Sequence, residues 1–267
     1  MICYRSFNNT DFNLIQQSKQ VFSDCYMLSS LEALTRSSQG RNVLSDNVQR
    51  VYLNASIESK TFKDIFCMNT PSLKNVLNQG ESFRVNFKNV RGNQEDFFVS
   101  QSNPKYSEIL AKQKNPVIFA FESAMSELLK KYPDKKPLIS KIIFPFKKNF
   151  EYNKVSNFME MFTGKKPYVL AETSLNLNLK SYKKEVYALF ERLGNTHSND
   201  YSFVVGSGMK KMDDGRRWHC YTVLNVDNDK KKIVLLNKRT NEPREYSFDE
   251  AIRNLKYFVG YFNEDLK

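Results

Sequence analysis

The sequence predicts an α+β protein with a helix-rich N-terminal lobe and an antiparallel, β-rich C-terminal lobe. Three observations indicate this class. Leucines recur at helical spacing after Cys25, and a second, strongly apolar helix is expected over residues 116–129. From Ser202 onward, short β-branched and aromatic runs alternate with turn residues, which is typical of strands. The 267 residues suffice for two packed lobes, and we place the boundary at residue 150, giving lobes 1–150 and 151–267.

The first element of the N-terminal lobe is the helix that carries Cys25. Residues 1–24 are mostly polar, and we expect them to be irregular. The helix is then predicted from Cys25 to about Arg36, because Leu28, Leu31 and Leu34 repeat at a spacing of three. Asp24 directly precedes it and is a residue type that caps helix N-termini.

The remainder of the N-terminal lobe mixes both element types. Residues 42–80 show scattered apolar positions that favour short helices. Clean alternation of apolar and polar residues over 83–88 predicts a strand with one buried face, and residues 97–99 are its expected partner.

The C-terminal lobe begins with helices near 154–162 and 181–193 and continues as strands. Strands are predicted at 203–205, 220–226 and 233–236, the last two joined by a turn of Asp and Asn residues. Ser247 and Glu250 have capping-box spacing, which indicates a short helix, and residues 257–262 form the last predicted strand.

The composition limits the possible functions. The net charge is +12, but the lysines are scattered rather than interleaved with aromatics, so we expect no nucleic-acid interface. No apolar run reaches the length of a membrane span, and no signal peptide is recognisable. We therefore expect a soluble protein that is cytoplasmic, or secreted into a host cell without a classical signal peptide.

The four cysteines indicate neither a zinc site nor a disulfide framework. They are widely spaced, lack CxxC pairs, and are accompanied by only two histidines. We expect reduced thiols, no metal and no cofactor. The neighbour of His219, Cys220, should point to the opposite side of its strand and lie in the core.

One set of residues has the chemistry of a nucleophilic enzyme. Cys25 lies at a predicted helix N-terminus, where partial positive charge favours a thiolate. His219 precedes one strand and Asn237 ends the next, so a hairpin would bring them together at its open end. An early Cys, a late His and a still later Asn are the chain order of papain-like cysteine proteases.

The motifs resemble those of the calpain family of papain-fold cysteine proteases. The family's Gly-Asp-Cys-Trp motif is similar to Ser-Asp-Cys-Tyr at residues 23–26. Its Gly-His-Ala-Tyr-Ser-Val strand is similar to residues 218–223, and its strand ending in Asn is similar to residues 234–237. The resemblance implies a papain-like two-lobe fold in which Cys25, His219 and Asn237 are catalytic.

Two departures from the family motifs concern the surroundings of this triad. The family places its oxyanion-hole Gln six residues before the Cys, where this chain has Lys19, and Gln20 lies five before. Either Gln20 is the oxyanion-hole residue of a loop one residue shorter, as the resemblance implies, or Gln20 does not serve in this role. The Pro-Trp-Gly that follows the family's Asn is replaced by residues 238–240, Lys-Arg-Thr. No dense acidic loop matches the family's calcium sites.

The resemblance implies a calpain-like cysteine endopeptidase acting on protein substrates through a thioester, and a microbial protein acting on host proteins would suit a compact protease core. Two alternatives remain open for this fold, and nucleic-acid binding by the basic chain is a more distant third. The same triad serves transglutaminase or deamidase chemistry, in which an amine or water receives the acyl group. The departures would also suit a binding module of the same fold with impaired catalysis.

Overall fold

The computed structural model describes residues 2–20, 25–53, 81–88, 93–131, 150–172, 179–208, 212, 217 and 219–266. Within these ranges helices are combined with antiparallel sheets, which confirms the α+β class. The described residues fall into two units. One comprises those within Met1–Leu14, Ser45–Phe87 and Asn93–Ile142, and the other those within Ile15–Leu44, Lys88–Gly92 and Ile143–Lys267.

The first unit is organised around a sheet whose strands follow the order β1-β2-β3-β4. These strands are β1 Ile2–Ser6, β2 Val48–Leu53, β3 Ser82–Lys88 and β4 Gln94–Ser100. The helices are α1 Asn9–Gln17, α3 Ser38–Asn47, α4 Ser107–Lys112 and α5 Pro116–Lys131, of which α1 and α3 extend into the second unit. Apolar α5 packs on β4, and aromatic edges join Phe7 to Phe83 and Phe121 in the core.

The second unit contains a six-stranded sheet in the order β5-β10-β6-β7-β8-β9, in which all neighbouring strands pair antiparallel. Its strands are β5 Tyr168–Ala171, β6 Tyr201–Ser207, β7 Cys220–Asp227, β8 Lys232–Asn237, β9 Glu242–Ser247 and β10 Leu255–Phe262. Its helices are α2 Cys25–Arg36, α6 Phe150–Thr163, α7 Leu179–Gly194, α8 Phe248–Asn254 and α9 Asn263–Leu266.

Both faces of this sheet are covered by helices. Consecutive strand residues point to opposite faces, so they belong to two different hydrophobic clusters. Cys220 belongs to the cluster that packs with α2 and α6, together with Val204 on β6. The adjacent Tyr221 and Val205 belong instead to the cluster that packs with α7 and α8. Burial on two faces explains why the central strands are almost wholly apolar.

Several predicted elements are confirmed. The helix beginning at Cys25, both helices of the C-terminal lobe and the capping box of Ser247 and Glu250 are present. The β7–β8 hairpin is present as well. Asp24, the expected cap, lies outside the described residues.

Other predictions are wrong. Residues 1–24 include β1 and α1 rather than only irregular chain. The helix prediction for residues 42–80 is wrong over Val48–Leu53, which forms strand β2. Val48 and Val51 are three residues apart, a spacing that suggests a helix although the segment is a strand. Residues 54–80 lie outside the described ranges. Strands β5 and β9 were not anticipated.

The division into units differs from the predicted lobes chiefly in one long segment. Residues 15–44, including α2, group with the C-terminal sheet. Cys25, His219 and Asn237 therefore belong to one unit. None of the described helices combines the length and the apolar character needed to cross a bilayer.

Candidate active site

The candidate nucleophile, Cys25, is the first residue of α2 and is partly exposed. A helix N-terminus presents unpaired backbone N–H groups and the positive end of the helix dipole, and both stabilise a thiolate. The sequence-based placement of Cys25 at a helix start is thus confirmed.

Helix α2 is fixed to strand β7 by two reciprocal hydrogen bonds. The Ser29 hydroxyl donates to the Cys220 carbonyl oxygen at 3.1 Å, and the Thr222 hydroxyl donates to the Ser29 carbonyl oxygen at 2.9 Å. Ser29 follows Cys25 by about one helical turn. The start of α2 is therefore held at the start of β7, where His219 lies.

The backbone of His219 is clamped by the end of strand β6. The His219 N–H donates to the Ser207 hydroxyl oxygen at 3.1 Å, and the His219 carbonyl accepts from the Ser207 N–H at 2.9 Å. These bonds and the burial of the side chain restrict where the imidazole can lie.

Asn237 orients the imidazole. Its Oδ1 atom lies 2.8 Å from His219 Nε2 and also accepts the Arg239 N–H at 2.9 Å. The Arg239 N–H is a donor only, which identifies the atom as the amide oxygen, so Nε2 must carry a proton. The open end of the β7–β8 hairpin thus brings these two residues together, as the sequence predicts.

An aromatic ring lies beside this pair. Tyr221 is buried and meets the His219 imidazole edge-to-face, with ring centroids 5.0 Å apart. The Tyr221 ring covers the imidazole from strand β7 itself. The sequence alone did not predict this contact between Tyr221 and His219.

The environment of Cys25 strongly favours its thiolate. The pKa of the thiol is lowered from 9.0 to about 4, chiefly by a hydrogen bond from the Cys220 side chain. Burial opposes this shift, whereas a hydrogen bond with His219 and the positive charge of its imidazole support it. Because Nε2 is bonded to Asn237, we assign the Cys25 contact to Nδ1.

Cys220 is buried, as predicted, but its hydrogen bond with Cys25 could not be predicted from the sequence. Strand alternation does point Cys220 away from Tyr221, and that side is the one on which α2 lies. The Cys220 Sγ atom is 3.0 Å from the Tyr257 Oη atom. A thiolate can only accept, so Cys220 is the donor to Cys25 and Tyr257 is in turn the donor to Cys220.

Gln20, the expected oxyanion-hole residue, is half-buried, whereas the neighbouring Lys19 is exposed. The Gln20 N–H donates to the Lys238 carbonyl oxygen at 2.8 Å. The residue is therefore tied to the chain immediately after Asn237. Residues 21–24, which connect Gln20 to Cys25, lie outside the described ranges.

The described part of the chain contains no group of three or more His, Cys, Asp or Glu side chains suited to hold a metal ion. The chain matches no protein-family model, and no curated protein is significantly similar to it in sequence.

Proposed function

We propose that this protein is a papain-like, calpain-type cysteine endopeptidase with Cys25 as nucleophile, His219 as acid and base, and Asn237 as the orienting amide. The observation that carries the proposal is the continuous arrangement of these groups. A thiolate at a helix start contacts an imidazole, and the imidazole is bonded to a buried amide oxygen at 2.8 Å.

The first half-reaction follows from this arrangement. The Cys25 thiolate attacks the carbonyl carbon of a peptide bond, and the carbonyl oxygen becomes an oxyanion. The Cys25 N–H and the Gln20 side chain would stabilise that charge. The His219 imidazolium gives its proton to the leaving amine, which departs and leaves a thioester on Cys25.

The second half-reaction returns the enzyme to its starting state. His219, now neutral, accepts a proton from water, and the resulting hydroxide attacks the thioester carbonyl. Collapse of the second oxyanion breaks the carbon–sulfur bond, releases the carboxylic acid and restores the thiolate. The bond between Asn237 and Nε2 keeps the ring facing Cys25 through both proton transfers.

A denatured protein substrate provides the test. The wild type, Cys25→Ala and His219→Ala are incubated with casein, and the products are analysed by mass spectrometry. We expect new peptide termini with the wild type only, and covalent modification of Cys25 by an epoxide inactivator. A one-dalton mass increase at Gln, or cross-linked chains, would assign the thioester to deamidation or transamidation instead. Equal cleavage by Cys25→Ala would contradict the proposal.

A further inference from the structure

The second unit contains a buried ion pair next to the candidate site. Both Lys238 and Glu32 are fully buried, and the Lys238 Nζ atom lies 3.1 Å from Glu32 Oε2. The same ammonium group donates to the carbonyl oxygens of Ile15 at 3.1 Å and Gln16 at 2.9 Å, and to Asn241 Oδ1 at 3.1 Å. These acceptors lie in the last turn of α1, in α2 and in the loop after β8, so one side chain joins three parts of the unit.

Burying this ammonium group is energetically costly. The ion loses its hydration, and a partner and further hydrogen bonds offset only part of that loss. The pKa of Lys238 is correspondingly lowered, with burial as the main cause and Glu32 opposing it. An apolar residue could fill this space without that cost, so stability alone does not account for the pair.

The contacts of Lys238 flank the oxyanion-hole residue. Ile15 and Gln16 lie in the last turn of α1, where unpaired carbonyls attract cations. On the other side, the backbone carbonyl of Lys238 accepts the Gln20 N–H at 2.8 Å. The segment leading to Gln20 is thus held at both ends by a single residue.

The same residue directly follows Asn237. Its loop is closed by a hydrogen bond of 2.7 Å from the Asn241 N–H to the Asn237 carbonyl, with Asn241 in the left-handed region at a φ of 60°. Any movement of Lys238 would consequently shift Gln20 relative to the His219–Asn237 pair.

We propose that Lys238 is a positioning residue that places Gln20 for oxyanion stabilisation, acting through its ion pair with Glu32 and its bonds to Ile15 and Gln16. This inference rests on the proposed protease function. It assigns Lys238 no contact with substrate. Loss of the Lys238 side chain should therefore lower kcat without changing formation of the Cys25 thiolate.

The test uses four proteins in a double-mutant cycle: the wild type, Lys238→Met, Gln20→Ala, and the double variant. Hydrolysis is measured on a peptide that spans a cut site identified with casein. Loss of one oxyanion donor typically lowers kcat by about 10²–10³-fold. We expect Lys238→Met to lower kcat by at least about tenfold, with KM and the pH profile of Cys25 alkylation unchanged, and to have little further effect in the Gln20→Ala background.

Two controls separate positioning from general destabilisation. Lys238→Met combined with Glu32→Leu replaces the ion pair by apolar side chains, and we expect it to recover the melting temperature without recovering kcat. Ser247→Ala removes the capping box of α8 away from the site, so it should lower the melting temperature and leave kcat unchanged.

The outcomes distinguish the inference from the proposed function. If the wild type hydrolyses the peptide and Lys238→Met keeps the wild-type kcat, Lys238 has no positioning role. The same conclusion follows if kcat recovers together with the melting temperature in Lys238→Met combined with Glu32→Leu. Neither outcome contradicts the proposed protease function. If Lys238→Met and Gln20→Ala lower kcat by fully independent factors, Lys238 does not act through Gln20. A wild type whose Cys25 is unreactive at neutral pH overturns the protease and the inference together.

Discussion

The Cys220 side chain donates a hydrogen bond to the sulfur of Cys25, and this bond is the largest single contribution to the lowered pKa of the Cys25 thiol. The Cys220 thiol therefore lies against the Cys25 sulfur, the candidate nucleophile. It is held from behind by Tyr257, whose hydroxyl oxygen lies 3.0 Å from Cys220 Sγ. The position follows His219 directly, so the base and the thiol donor come from adjacent residues.

Removing the Cys220 thiol should raise the pKa of Cys25. We expect Cys220→Ala to shift the pH dependence of Cys25 alkylation toward higher pH, whereas Cys220→Ser retains a donor and should keep the low pKa. Peptide mapping of iodoacetamide-treated protein reads out Cys25 separately from the other cysteines. Identical profiles for the wild type and Cys220→Ala would show that the bond does not stabilise the thiolate.

Asn237→Ala should lower kcat because the imidazole loses its orienting acceptor. A hydrogen bond to a charged group contributes about 1.5–3 kcal/mol, which corresponds to roughly a 10- to 150-fold change in rate. Steady-state hydrolysis measures the effect, and circular dichroism establishes that the fold is retained. A folded Asn237→Ala protein with wild-type kcat would exclude Asn237 from the mechanism.

The Tyr221 ring should matter more than its hydroxyl. Its edge contact with His219 shields the imidazole from water, so Tyr221→Leu is expected to lower kcat several-fold while Tyr221→Phe retains it. The ring contact is tested by measuring kcat of both variants, each assayed at the same number of degrees below its own melting temperature. Equal losses in the two variants would attribute the role to the hydroxyl instead.

Gly206 should tolerate no side chain. It is paired with Tyr257 on one side and Cys220 on the other, and a Cβ atom there would lie 1.8 Å from Tyr257 Cζ. Gly206→Ala must displace this ring, and we expect a loss of about 1–3 kcal/mol in the free energy of unfolding. Because Tyr257 supports Cys220, the pKa of Cys25 should rise as well. Denaturant unfolding measures the first effect and the pH profile of Cys25 alkylation the second. If neither the free energy of unfolding nor the Cys25 pKa changes, Gly206 is not packed against Tyr257 in this way.

The sequence identified the parts of the site that have their own local signals. Cys25 precedes a leucine-spaced helix, and His219 and Asn237 flank a hairpin with turn residues between its strands. These signals depend on short-range spacing, which is why α2, β7 and β8 could be predicted together with the candidate site residues on them.

The residues that were missed depend on long-range packing. Alternation placed Cys220 correctly in the core, but only the docking of α2 on that face brings it to Cys25. Lys238 occupies a polar turn, where a lysine is ordinarily exposed, and its burial follows from acceptors on α1 and α2. Strand β9 lacks apolar alternation because its first four residues are exposed at the sheet edge.

The pH dependence of Cys25 alkylation in the wild type and in His219→Ala tests the central claim, an activated thiolate paired with an imidazole. The thiolate is the reactive form, so alkylation is lost only as pH falls through the pKa. With a pKa of about 4, the wild-type rate should be nearly constant from neutral pH down to about pH 5, and His219→Ala, which keeps the Cys220 bond, should shift the loss of reactivity toward higher pH. A wild-type profile that rises only near the ordinary thiol pKa of about 8.5, and is unchanged in His219→Ala, would contradict the account.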